Sequence, residues 1–200
     1  EIIRREKLQQ LRDLGVEPYP AEEFVVTSNS KEIKEKYEDG KMVKLAGRLM
    51  SVRVMGKASF AELQDSEGRI QIYISRDDIS STEEGIEYNT IFKKLMDIGD
   101  FIGIEGYEFK TKVGEISVHV TKLTLLSKTL RPLPIVKTDE EGHVFDAFTD
   151  PELRYRMRYV DMVVNPHVKD IFIKRTRLFN AMRTFFNDRG YMEVETPVLQ

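Results

Sequence analysis

Cysteine is absent from these 200 residues, which excludes disulfides and thiolate metal sites. No apolar run approaches the length of a membrane span. The residues after Glu1 are too charged for a signal peptide. These absences fit a cytoplasmic protein with no membrane partner. There is no basic excess either: 31 Lys and Arg face 34 Asp and Glu, for a net charge of -3. That balance argues against generic nucleic-acid binding through a positive field, so any such contact must be local and shaped. No Gly-rich phosphate loop and no nucleophile elbow occurs. His119, His143 and His167 are scattered without metal-ligand spacing, and His119 reads as a strand-surface residue. What is present is 40% apolar and 10% aromatic content, enough for a modest core in one or two domains.

The order of elements is legible from the periodicity. Leu8, Leu11 and Leu14, with Ile3 on much the same side, predict a helix over 2–14. Gly15 suits its C-cap, and Pro18 and Pro20 prevent continuation. A second short helix is expected over 30–38, capped by Asn29 with Glu32 at capping-box spacing. Ile33 and Tyr37 share its face, and Gly40 ends it. From Met42 the period becomes two, with a strand interrupted at Gly47 by an expected bulge or bend. Gly56-Lys57 turns into a second strand over 58–64, and Asp65–Gly68 loops into a third. That third strand alternates Ile70, Ile72 and Ile74 with Arg69, Gln71 and Tyr73. A helix near 86–96 carries Tyr88, Phe92, Leu95 and Met96. Strands follow at 100–109 and from Glu115. Three strands, a helix and two strands give the order of a five-stranded OB-fold barrel, mostly β with α. An SH3-like barrel is the rival, but it usually lacks the helix after strand three.

Residues 129–150 read as a linker, stiff at Leu130–Pro134 and exposed at Asp139–Gly142. Asn165 is positioned to N-cap a long helix with Pro166 in its first turn. Its stripe runs Val168, Ile171, Phe172, Leu178, Phe179, Met182, Phe185 and Phe186, and Gly190 terminates it. So wide a stripe must be buried against something large. The expected division is 1–40 helical, 41–128 barrel, 129–150 linker and 151–200 the start of a further domain.

Four barrel residues are candidates for contacts to single-stranded nucleic acid, where aromatics stack bases beside hydrogen-bonding side chains. If Ala61 and Leu63 face inward, Phe60 faces outward with Glu62 and Gln64. It then offers a stacking surface, or else caps the barrel mouth or packs on the N-terminal helix. Gln71 can donate and accept along a base edge, or be a solvated strand residue. Arg53 has no settled direction, because parity is lost past Gly47. Glu115 opens strand five and could accept from a base, or simply serve the turn. Arg154, Arg156 and Arg158 alternate with other residues, aromatics among them. They suit RNA-backbone contact, or pairing with nearby acids where two domains meet. No catalytic pair of carboxylates stands out.

Near the end of the chain, Arg189-Gly190-Tyr191-Met192-Glu193-Val194-Glu195-Thr196-Pro197-Val198-Leu199 resembles motif 1 of class II aminoacyl-tRNA synthetases, a helix running into a strand that ends at a proline. Arg4–Pro20, Val43–Ile74, LSKTLRPLP and RYRMRYVD together resemble the N-terminal part of class II lysyl-tRNA synthetases of bacterial type. Aspartyl and asparaginyl synthetases share the barrel and motif 1, but GKASF, PYP and LRPLP favour the lysyl family. The resemblance implies that 151–200 is the first helix and strand of an α+β catalytic domain. It implies that Phe60 stacks on the central anticodon uridine of tRNA(Lys), that Gln71 reads that base, and that Arg53 also contacts it. Glu115 then matches an acidic contact to a flanking anticodon base, and Pro197 the homodimer interface. Lysine, ATP and Mg2+ belong to the parent enzyme, whose arginine-bearing motifs 2 and 3 are expected beyond Gln200. Within 1–200 no catalytic residue, cofactor or metal ligand is assigned, and this stretch is expected to be inactive alone. The alternatives are a stand-alone OB-fold module and a non-catalytic paralogue.

Overall fold

The computed structural model describes residues 1–80, 85–134 and 148–198, with backbone alone at 137–138 and 144–145. His143, the Asp139–Gly142 stretch and Leu199 lie outside the described residues. The chain forms two compact units, Glu1–Pro132 and Leu133–Gln200.

The first unit is built around a closed barrel in the order β1-β2-β3-β5-β4. Its strands are β1 Met42–Met55, β2 Ala58–Gln64, β3 Arg69–Ser75, β4 Phe101–Lys110 and β5 Ile116–Ser127. All neighbours pair antiparallel except β3 and β5, which run parallel. This is OB topology rather than SH3-like. The alternation seen in the sequence becomes the burial pattern: Leu63, Ile70, Ile72, Ile74, Ile102, Ile104, Val118 and Val120 fill the interior. A π-helix, Glu87–Leu95, closes one side with Tyr88, Phe92 and Leu95 buried. The Tyr88 hydroxyl pairs with Ser59 Oγ at 2.8 Å, so the ring carries no unsatisfied polar atom inside. A short helix α3, Arg76–Ile79, follows β3; its polar sequence carries no helical period.

Gly47 does not bulge. It pairs with Ile102 in a regular ladder. A Cβ there would lie 2.5 Å from the Gln64 carbonyl oxygen, so the glycine allows two strands to cross closely. The bulge lies further on, between Leu49 and Ser51.

Helix α1, Ile2–Asp13, ends at Gly15, whose φ is 76°. Of the expected stripe only Leu11 is fully buried, and Ile3 is 68% exposed. Polar contacts hold the rest. Arg4 donates to the carbonyls of Ile98 and Thr129, both at 3.0 Å. Lys7 bonds Asp97 at 2.6 Å. Asp97 and Asp100 in turn grip Lys128, whose side chain is fully buried, at 2.6 and 2.7 Å. Helix α2 is shorter than expected, Ser30–Glu35, because the backbone leaves the helix at Lys36 and Tyr37 turns to Asp39. The Asn29 side chain caps it by accepting from Glu32 N at 2.8 Å.

In the second unit, β6 Lys137–Thr138 pairs with β7 Val144–Phe145. Helices α4 Pro151–Arg156, α5 Arg158–Val164 and α6 Pro166–Asn187 follow. Asn165 sits at the N-cap position of α6 but does not cap it. Its amide donates instead to Asp161 and to the Phe148 carbonyl. The arginine run pairs with acids inside this unit. Arg154 and Arg158 meet at buried Asp161, and Arg156 binds Glu152. Residues 191–198 pair with no strand among the described residues, so the strand expected after the helix is not formed here: a strand needs an edge to bond to. Much of the α6 stripe is uncovered, with Leu178 60%, Phe179 41% and Phe185 50% exposed.

Candidate nucleic-acid interface

The outer face of β1, β2 and β3 carries a cavity of about 360 Å³. Arg53, Phe60, Gln71 and Glu115 all line it. They come from β1, β2, β3 and the turn before β5, and the pleat explains why they meet. Ala61 pairs with Ile72 and points inward, so Phe60 and Gln71 point outward.

Arg53 reaches this face through the bulge. Leu49 is buried, and strict alternation from it would turn residue 53 inward. One extra residue between Leu49 and Ser51 reverses the parity. Val52 then pairs with inward Ala61, and Arg53 stands opposite Phe60.

Phe60 is half-buried, tilted against Tyr73 with ring centroids 5.1 Å apart. It packs on its cross-strand neighbour, with one side left to the cavity. Tyr73 continues an aromatic row: His119 lies 4.9 Å away and Phe109 6.1 Å. His119 stacks on Tyr107 and is bonded at both ring nitrogens, to Tyr107 Oη at 2.9 Å and Asp78 at 2.8 Å. It is thus a structural hub tying α3 to β4 and β5, more than a strand-surface residue. His167, at the start of α6, is exposed. Sequence reading missed this row because β3, β4 and β5 converge only through barrel closure.

Gln71 is oriented. The buried Ser117 hydroxyl donates to its Oε1 at 2.9 Å. That bond anchors the Oε1 end and leaves both Nε2 hydrogens as donors. Glu115 is exposed at the cavity edge, its backbone N–H tied to Thr111 Oγ1 at 3.0 Å. Lys34, Ser51, Glu62 and Arg69 also line the cavity. Glu62 and Arg69 share outward faces with Phe60 and Gln71 in the sequence pattern. Lys34 gave no signal, because it arrives from α2, outside the barrel. A half-buried aromatic, a polarised amide and mixed charges in one concavity suit a single base and its sugar-phosphate.

Comparison with known proteins agrees with this chemistry. Residues 43–126 match the family model for an OB-fold nucleic acid binding domain, and residues 150–200 that for class II tRNA synthetases (D, K and N). The whole chain is 61% identical to the lysine–tRNA ligase of Porphyromonas gingivalis, covering 35% of it. It is 62% identical to that of Christiangramia forsetii, again covering 35%. It is 57% identical to that of Azobacteroides pseudotrichonymphae, covering 40%. The chain therefore spans little more than a third of the length of these relatives. Barrel, cavity and matches thus agree on an OB-fold nucleic acid binding domain at residues 43–126, followed at residues 150–200 by a segment similar to the class II tRNA synthetases (D, K and N).

Proposed function

We propose that the barrel reads the anticodon of tRNA(Lys) for a cytoplasmic, homodimeric lysine–tRNA ligase. One observation carries the reading: Arg53, Phe60, Gln71 and Glu115, from four separate segments, line one cavity. Phe60 stacks on the central uridine, and the free Gln71 amide hydrogens donate to it. A donor facing position 4 of the base suits the uridine carbonyl and meets the cytidine amino group as donor against donor. Arg53 adds a second contact opposite Phe60, and Glu115 accepts from a flanking base. The division into 1–40, 41–128, 129–150 and 151–200 belongs to the same reading.

In the whole ligase, the lysine carboxylate would attack the α-phosphate of ATP and displace pyrophosphate to form lysyl-adenylate, with Mg2+ offsetting phosphoryl charge; the terminal ribose hydroxyl of tRNA would then take the lysyl group and release AMP. Among the described residues no group of three or more His, Asp and Glu could hold a metal ion. The uncovered α6 stripe supports a homodimer or a larger catalytic domain over that face, with Pro197, exposed beyond α6, at the dimer interface. No helix among the described residues is long and apolar enough to cross a membrane.

The test is fluorescence anisotropy with a lysine-tRNA anticodon stem-loop and a variant carrying cytidine at the central position. Preference for uridine is expected. Equal binding of both would reduce the barrel to a general single-strand binder.

A further inference from the structure

Three cations line the cavity, and they are not equivalent. Arg69 is engaged: it bonds Glu62 and Gln64, each at 3.0 Å. The side chains of Arg53 and Lys34 have no hydrogen-bond or ion-pair partner among the described residues. Arg53 stands opposite Phe60 within the ladder and lines the cavity. Lys34 comes from the other side, from α2.

A six-residue helix is too short to persist alone, so α2 must be held from outside. Ser30 does this. Its N–H and Oγ donate to the two Asp65 carboxylate oxygens at 2.6 and 2.7 Å. Asp65 is itself held in the β2–β3 loop by the N–H groups of Glu67 and Gly68. Ile33 is buried at 1% exposure and anchors the other end. Lys34, the next residue, is exposed and projects at the cavity. Its ammonium is therefore delivered by a fixed support rather than by a loose surface helix.

A base held in the cavity carries its phosphates past the rim. Single-strand binders combine a stacking surface with cations that track this backbone. We propose that Lys34 contacts a phosphate of the RNA strand whose base occupies the Phe60–Gln71 cavity, with α2 positioned for it by the Asp65 grip on Ser30. This rests on the anticodon reading above and extends it to the backbone.

The experiment measures binding of the anticodon stem-loop to the full chain between about 50 and about 200 mM salt. Lys34→Gln should flatten the slope of log K against log salt by about 0.7, the value for one single-strand phosphate contact. It should also weaken binding several-fold at low salt while keeping the preference for uridine. Lys31→Gln is the control: that lysine pairs with Glu35 on the same helix at 4.0 Å and does not line the cavity. Its slope should match the wild type. An unchanged slope in Lys34→Gln, or an equal flattening in Lys31→Gln, overturns the proposal. Wild-type binding without preference for uridine would refute the base reading alone, because the slope counts phosphates on either RNA. Binding of neither RNA would overturn both.

Discussion

Phe60 and Gln71 divide the work of recognition between area and direction. Phe60 offers a face to any base, so Phe60→Ala should weaken the anticodon stem-loop by about 1–3 kcal/mol, read by anisotropy. It should cost uridine and cytidine ligands alike. Gln71→Ala should act differently, lowering the uridine preference by about 0.5–1.5 kcal/mol, the net worth of one hydrogen bond. An equal loss for both ligands would show that Gln71 packs rather than reads. Both side chains were legible from β-strand parity alone, because β2 and β3 are regular and the buried partners Ala61 and Ile72 are obvious. Arg53 was not. Its direction depends on a bulge between Leu49 and Ser51, and neither residue type announces one. Lys34 was beyond reach for a different reason: only tertiary docking brings α2 to the cavity.

At the scale of elements, two local devices hold the first unit. One is the close crossing at Gly47. Gly47→Ala would drive a methyl group to 2.5 Å from the Gln64 carbonyl, and backbone cannot swing aside as a side chain can. A loss of about 1–3 kcal/mol is expected, measured from the urea midpoint. The other device is the cluster of Asp97, Asp100, Lys128 and Lys7. Burial alone would raise the Asp97 carboxyl, but hydrogen bonds and charge from Lys128 and Lys7 outweigh it and hold the group below its ordinary 3.8. A carboxylate depressed in the folded state adds stability above its unfolded value. That contribution fades as the pH falls through the lower, folded value. Thermal melts should therefore drop below about pH 4, and Asp97→Asn should be less stable at neutral pH with a flatter acid limb. An acid limb as steep as the wild type's would remove Asp97 from the account. The strands themselves were readable to within a residue or two, since their alternation is nearly unbroken. The clasp on α1 was not, because it depends on Arg4 and Lys7, which look like ordinary surface charges in a helix.

For the whole molecule, the division after Pro132 carries a testable consequence. All the cavity residues and the clasp on α1 lie in Glu1–Pro132. A chain ending at Pro132 should fold with a single cooperative transition and bind the stem-loop as the longer chain does. A marked loss of affinity would mean that the second unit contributes to recognition. The apolar stripe of α6 was the plainest helix signal in the sequence, and its period is fully realised over Pro166–Asn187. What covers that stripe was not legible, because a hydrophobic period states a need for burial and says nothing about the surface that meets it.

The clasp on α1 also sets an order of events during synthesis. Arg4 bonds carbonyls of Ile98 and Thr129, and Lys7 bonds Asp97. Helix α1 is thus docked by residues near the far end of its unit. Until those residues have left the ribosome, α1 has nothing to grip, and its short length gives it little helicity alone. Translation runs from the N-terminus, so α1 waits for residues made well after it and closes over a barrel already formed.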